Sequence, residues 1–324
     1  MKKLLSLVIS ITLLALIYYK IDFGKIIAVF AKSSPLLLTL SLAMVIPLTL
    51  ATSWRLCQLM PRSQPLGFGE ANRLTLMASV LNMVLPSKMG DVAKAAFMAE
   101  RGHLKGSLAF SLVVFEKACD MASLLAWCAF GLTLYPQKDL LFWTMLAAVI
   151  GGFLLLALLI GSTSFASFFF SAAGRLAPSR LAAKIQVIDS SWREMHGYFW
   201  QRPDKLILVV STSLGIWILH LLQIWLFTLA LRAQVPFMAS MAVSPLALLA
   251  GLLPLTFAGI GTRDAALVFF FAPYMKAADA AALGVLCMMR YLLPAIAGLP
   301  FIGNSMGRLF KHAESDAGHE AKNA

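Results

Sequence analysis

From Leu140 to Ile160 the chain runs without a charged residue or a proline. At 1.5 Å per helical residue, about 20 residues cross a hydrocarbon core about 30 Å thick. Leu4–Tyr19, Pro35–Ser53, Ser107–Leu134, Lys205–Leu231 and Ala280–Ile302 are also long and mainly apolar, with at least one proline or charged residue in all but the first. Sixty per cent of the residues are hydrophobic and 13% charged, against about 25% charged in a soluble domain. These runs lack the alternating pattern of barrel strands, so the fold class is an all-α polytopic membrane protein with about six full spans. Lys2 and Lys3 precede the first span and no small-residue cleavage site follows it. Tyr18, Tyr19 and Lys20 read as an interfacial anchor, which makes Leu4–Tyr19 a retained helix.

Two stretches break this pattern. Leu-Pro-Ser-Lys-Met-Gly-Asp at 85–91 and Leu-Pro-Leu-Thr-Phe-Ala-Gly-Ile-Gly-Thr-Arg-Asp at 253–264 put proline, glycine and charge inside apolar sequence. Non-helical backbone at membrane depth is tolerated only where protein buries it or a wet cavity faces it. Both are therefore expected to be broken, re-entrant helical hairpins, with Pro86, Pro254 and Gly259 as hinges. A new half-helix is expected after Gly90 and after Gly261, and its free N–H groups and positive dipole end suit a phosphate. Lys88 and Lys94 flank the first terminus and Arg263 stands at the second. Asp91 and Asp264 repel an anion, so they read first as caps and counter-charges of the nearby base. The alternative is a carboxylate that carries a coupling proton.

With the N-terminus placed in the cytoplasm, fifteen basic residues fall on the cytoplasmic side, Arg55 among them. Six fall on the other: Lys20, Lys25, Lys32, Lys138, Arg232 and Lys276. This bias follows the positive-inside rule and puts both termini inside. The broken segments then enter from opposite sides. Asp91 to Asp264 is 264 − 91 = 173 residues, and Lys117 to Arg290 is 290 − 117 = 173. Equal offsets with opposed entry point to an inverted repeat, with halves at about 70–135 and 237–303, inside one membrane domain (1–303). A polar cytoplasmic tail (304–324) with the composition of a disordered segment follows. Such paired interruptions mark a binding site at the repeat interface of a transporter.

Glu116, Lys117 and Asp120 lie in the middle of a span, where each charge costs roughly 2.5–3.5 kcal/mol if it faces lipid. Their i,i+3 and i,i+4 spacing gathers them on one face, toward a partner or a wet cavity. Arg290, midway along the last span, needs an acid, and Glu116 or Asp120 can supply it. Buried pairs that fix packing are the simpler account; charge balancing or gating is the functional one. His220, with Gln223 at i+3, is read as an interhelical hydrogen-bond donor or a proton relay. At 178–200, Leu181, Ile185, Ile188, Trp192, Met195 and Phe199 recur at helical spacing, which makes an amphipathic surface helix.

Asn82, Pro86, Lys88, Gly90, Asp91 and Lys94 resemble the N-x-x-x-P-x-R-x-G-[DE]-x-x-R signature of the lysylphosphatidylglycerol synthetase/flippase membrane-domain family. Glu116-Lys117-x-x-Asp120 is similar to its E-R-x-x-D element, and Pro254, Gly259, Gly261, Arg263 and Asp264 to its P-x-x-x-G-G-x-G-x-R-E element. Lysine replaces the usual arginine at 88, 94 and 117, and Asp264 the usual glutamate. Charge survives these changes, but bidentate phosphate recognition by those lysines does not. The resemblance implies the membrane part alone, without an aminoacyl-transferase domain, and with it a lipid-translocating role.

The function expected is flippase-like transport of an anionic phospholipid or lipid-linked headgroup across the cytoplasmic (inner) membrane. Lys88, Gly90, Lys94, Gly261 and Arg263 would meet the phosphate. Asp91, Glu116, Lys117, Asp120, Asp264 and Arg290 would balance charge. The alternatives are a proton- or ion-coupled carrier of small solutes, and an accessory subunit of a lipid-modifying or glycosyl-transfer enzyme. No catalytic residue, metal site or cofactor is expected: G-x-S-x-G, H-E-x-x-H, nucleotide loops and C-x-x-C pairs are all missing. An intramembrane aspartyl protease needs G-x-G-D, which Gly259–Asp264 does not provide. The expected partners are membrane lipids, anionic ones in the leading reading, and a lipid-modifying enzyme under the accessory reading. Nucleic acid is not expected, because the net charge of +12 is scattered over loops.

Overall fold

The computed structural model describes residues 23–84, 90–100, 104–135, 138–176, 179–252 and 261–322. Every regular element in them is helical: α1 (Phe23–Lys32), α2 (Pro35–Ala43), α3 (Val45–Leu59), α4 (Phe68–Val84), α5 (Gly90–Glu100), α6 (Gly106–Leu134), α7 (Leu140–Gly161), α8 (Thr163–Leu176), α9 (Ser179–Trp200), α10 (Pro203–Ala230), α11 (Phe237–Ala250), α12 (Thr262–Phe271) and α13 (Ala277–Lys322). Leu4–Tyr19, Pro86, Lys88, Pro254 and Gly259 lie outside the described residues.

Among the described residues four segments are long and apolar enough to cross a membrane: Pro35–Leu59, Leu140–Gly161, Pro203–Ala230 and Ala277–Ile302. The chain is therefore a multi-pass membrane protein. Helix α6 has the length of a span, 29 residues or about 43 Å, but carries Glu116, Lys117 and Asp120 in its middle. The first of the four is broken at Met44, between α2 and α3. Pro47 has no N–H for the Ala43 carbonyl and its ring crowds that oxygen, which places the break where it is. Beyond the break the helix does not stop near Ser53, as the sequence suggests, but runs to Leu59. Leu56, Leu59 and Met60 continue the apolar face and are almost wholly buried. Helix α13 likewise continues to Lys322 where an unstructured tail is expected; Leu309, Lys311, Ala313, Glu314 and Ala321 are all good helix formers.

The helices pack around two cores that share α6 and α10. One joins Leu56 and Leu59 of α3, Leu74 and Met77 of α4, Phe97 of α5 and Phe115 of α6 to Trp192, Met195 and Phe199 of α9 and Val209 of α10. The other joins Leu124 and Leu132 of α6, Leu221 and Phe227 of α10, α11, Phe271 of α12 and Leu283 of α13. Helix α9 lays its apolar edge on α6, with Phe199 stacked on Phe115 at 4.6 Å. It is tied to α8 by Ser167 Oγ donating to Asp189 at 2.7 Å. Helix α7 does the opposite: Phe142 and Val149 are its buried residues, while Leu140, Trp143 and Leu154 stand exposed, as a lipid-facing helix requires.

Glycine permits two close crossings of long helices. A Cβ at Gly131 of α6 would sit 2.2 Å from the Ala242 carbonyl oxygen of α11, and one at Gly298 of α13 would sit 2.3 Å from the Leu76 carbonyl oxygen of α4. Each long helix after a broken segment thus packs backbone to backbone on the helix before the other broken segment.

Candidate functional site

Helix α6 holds Glu116 and Asp120 toward the bundle interior, where α3, α5 and α10 converge on them. Arg55 of α3 donates from Nη2 to Glu116 Oε1 at 2.9 Å and to Asp120 Oδ2 at 3.2 Å. Its Nη1 donates to Asp120 Oδ1 and, at 2.9 Å, to Ser213 Oγ of α10. Lys94 of α5 donates to the other Glu116 oxygen at 2.5 Å. Lys117 faces outward and bridges Asp91 Oδ2 at 3.1 Å and Asp120 Oδ2 at 3.5 Å. Three cations meet three carboxylates, so the cluster is neutral. It is also graded: Arg55, Lys94 and Glu116 are shut off from the surroundings, while Lys117, Asp91 and Asp120 form a partly open edge. Gly90 opens α5 so close to α4 that a Cβ there would lie 2.3 Å from the Ala78 carbonyl oxygen and 2.8 Å from Asn82 Oδ1.

Arg55 is the residue that sequence reasoning placed wrongly. Counted there among the cytoplasmic loop cations, it is 1% exposed and the hub of the cluster. The available signal was the apolar continuation Leu56–Leu59–Met60, which keeps the helix period past Trp54-Arg55. Once Arg55, Lys94 and Lys117 occupy Glu116 and Asp120, neither carboxylate is bonded to Arg290. That expected pairing is not made.

The second centre lies at the start of α12. Gly261 adopts φ = 100°, a left-handed conformation that a side chain would strain. Its N–H donates to Asp264 Oδ2 at 3.1 Å, which caps the helix. Arg263 donates to the other oxygen of Asp264, from Nε at 3.1 Å and Nη2 at 2.8 Å. It also reaches the Gly284 carbonyl of α13 at 3.4 Å. A Cβ on Gly284 would come within 2.8 Å of Asp264 Oδ1, so glycine there leaves room for the carboxylate.

Arg290 lies further along α13 and is 5% exposed. Its Nη2 donates to the Tyr291 hydroxyl at 2.8 Å, and its guanidinium carbon lies 4.9 Å from that ring's centroid. Its Nε and Nη1 have no hydrogen-bond partner among the described residues. Two arginines and one aspartate leave this centre with one positive charge in excess.

His220 sits on α10 two turns beyond Ser213, edge-on to Trp217 with 5.6 Å between ring centroids. Gln223 donates from Nε2 to the Ser41 carbonyl at 2.9 Å, which ties α10 to α2. Among the described residues no group of His, Cys, Asp and Glu is arranged to hold a metal ion.

The chain is similar in sequence to known membrane proteins. A sequence profile described as the lysylphosphatidylglycerol synthase TM region matches residues 3–298. The chain belongs to that family. It is also 25% identical over 322 residues to the UPF0104 membrane protein MJ1595 of Methanocaldococcus jannaschii, covering 92% of this chain and 93% of that one. The family match takes in both centres, from Arg55 to Arg290, and all four of the apolar spans except the last four residues of the final one.

Proposed function

We propose that this protein is a flippase-like transporter of an anionic phospholipid or lipid-linked headgroup in the cytoplasmic membrane. The observation that carries the proposal is Arg290, a guanidinium buried among apolar helices with two N–H-bearing nitrogens unused. An uncompensated charge in such a place is expensive, and intramembrane cations of this kind serve ligands. A phosphodiester supplies both the missing charge and the missing acceptors. Lys88, Gly90, Gly261 and Arg263 complete the headgroup path in this proposal, and the closed cluster around Glu116, to which Lys94 belongs, acts as its gate. The membrane-domain family and the multi-pass helical architecture support a lipid-handling role.

The two glycine crossings support an inverted repeat. They relate α4–α6 to α11–α13 with 298 − 131 = 167 and 242 − 76 = 166 residues between corresponding members. In that arrangement the two centres belong to opposed half-helix entrances and both termini lie in the cytoplasm.

The test is movement of a fluorescent phosphatidylglycerol between leaflets of proteoliposomes. Arg290→Gln is expected to abolish most of the protein-dependent rate while the protein remains folded. An unchanged rate in that variant removes Arg290 from the headgroup site, and no flip by the wild type rejects the transport proposal.

A further inference from the structure

Four of the six cations that the topology places away from the cytoplasm come together in one cavity. It measures about 670 Å³ and opens where α1 and α10 end, α12 ends and α13 begins. Lys25, Lys32, Arg232 and Lys276 line it, and Asp279 is the one acid among the described lining residues, which together carry three positive charges in excess. No carboxylate among the described residues forms an ion pair with any of the four.

Helix capping accounts for only half of this charge. Lys32 and Arg232 stand at helix C-termini, where a cation is favoured. Lys25 lies in the first turn of α1, and Lys276 directly precedes α13, so both add positive charge to an end that is already positive. Arg232 is also costly in backbone terms. At φ = 57° it is the one non-glycine residue in the left-handed region among those described. Its N–H donates to the Leu229 carbonyl and that of Ala233 to Thr228, both at 2.9 Å. This is the helix-ending motif whose left-handed position usually holds glycine. An arginine there keeps a cation at the cavity mouth at the expense of conformational ease.

We propose that this cavity is an anion-binding vestibule for a phosphate ester, a site separate from the Arg290 centre. It rests on the transport proposal only in this: a lipid headgroup leaving or entering the protein is the phosphate ester it would receive. The volume suits a headgroup or a small phosphorylated solute.

The full chain in phosphatidylcholine nanodiscs is titrated with inorganic phosphate by equilibrium dialysis. In nanodiscs that also contain phosphatidylglycerol, retained anionic lipid is counted by native mass spectrometry. Lys32→Gln combined with Lys276→Gln is expected to weaken phosphate binding at least about tenfold and to reduce retained phosphatidylglycerol. Arg232→Gly is expected to weaken phosphate binding while melting no lower than wild type, since glycine relaxes the turn. Arg290→Gln is expected to leave the component lost in the double lysine variant intact. Unchanged phosphate binding in the double variant and in Arg232→Gly overturns the vestibule. Weakened phosphate binding with unchanged lipid retention supports the anion site and assigns it to a soluble phosphate ester instead of a headgroup. Absence of lipid flip by the wild type, with phosphate binding still lost in the double variant, rejects the transport proposal and leaves the vestibule standing.

Discussion

The two polar centres are built from similar residue types and come out in opposite electrostatic states. Around Glu116, three carboxylates and three cations from α3, α5 and α6 are interlocked, and Arg55 and Lys94 spend their charge on protein. Around Arg263, one aspartate serves as both helix cap and counter-charge, and Arg290 is left with donors unused. The difference comes from the number of helices that contribute. The first centre draws a cation from α3, an element before the broken segment, whereas the second is confined to α12 and α13. A closed ion cluster holds helices together; an open one holds a place for a ligand.

Substitutions of matched kind break this comparison most directly. Glu116→Ala is expected to show the largest effect, a loss of about 3–5 kcal/mol, because Arg55 and Lys94 then stay buried without their acid. Its melting temperature in detergent checks this, and a near-wild-type melt contradicts the structural role given to the cluster. Gly131→Val and Gly298→Val come next. Each puts side-chain atoms where a carbonyl of the crossing helix lies, at a cost of about 1–3 kcal/mol or more. Similar losses at both crossings support equivalent halves, and a loss at only one argues against them. Arg290→Met is expected to leave the melt unchanged or to raise it by up to about 1–4 kcal/mol, since a buried charge gives way to an apolar side chain. Flip is expected to fall in the same variant, and a large drop in its melt would show Arg290 to be a packing residue. The smallest effect is assigned to Lys117→Gln, whose side chain is 45% exposed. Its two ion pairs are expected to contribute less than about 1 kcal/mol, measured by the same melt.

Much of the first centre was legible beforehand. The i,i+4 spacing of Glu116 and Asp120 announces a shared face, and the intramembrane charges announce a partner. The partner itself was not legible. Arg55 is 61 residues from Glu116 in sequence, and at the end of an apolar run a cation looks like a topology signal. Which acid Arg290 meets is likewise a question of helix rotation: its hydrogen bond goes to Tyr291, and the carboxylates on α6 are taken by Arg55, Lys94 and Lys117. At the second centre Gly261 is the N-cap and Asp264, three residues on, accepts from its N–H at 3.1 Å, a contact set within one turn of helix.

By itself, the sequence determined that the protein is helical and membrane-embedded, because unbroken apolar runs and unsatisfied backbone leave no other solution in lipid. It also set where proline and glycine stand between apolar runs. Tertiary structure decided which charges cancel and which remain. It paired Arg55 with Glu116 and Asp120, left Arg290 in surplus, and drew four scattered cations around one cavity. The reason is the range of the forces involved: backbone geometry is set within a turn of helix, whereas charge pairing in a bundle depends on which faces the packing of distant helices brings within a few ångströms.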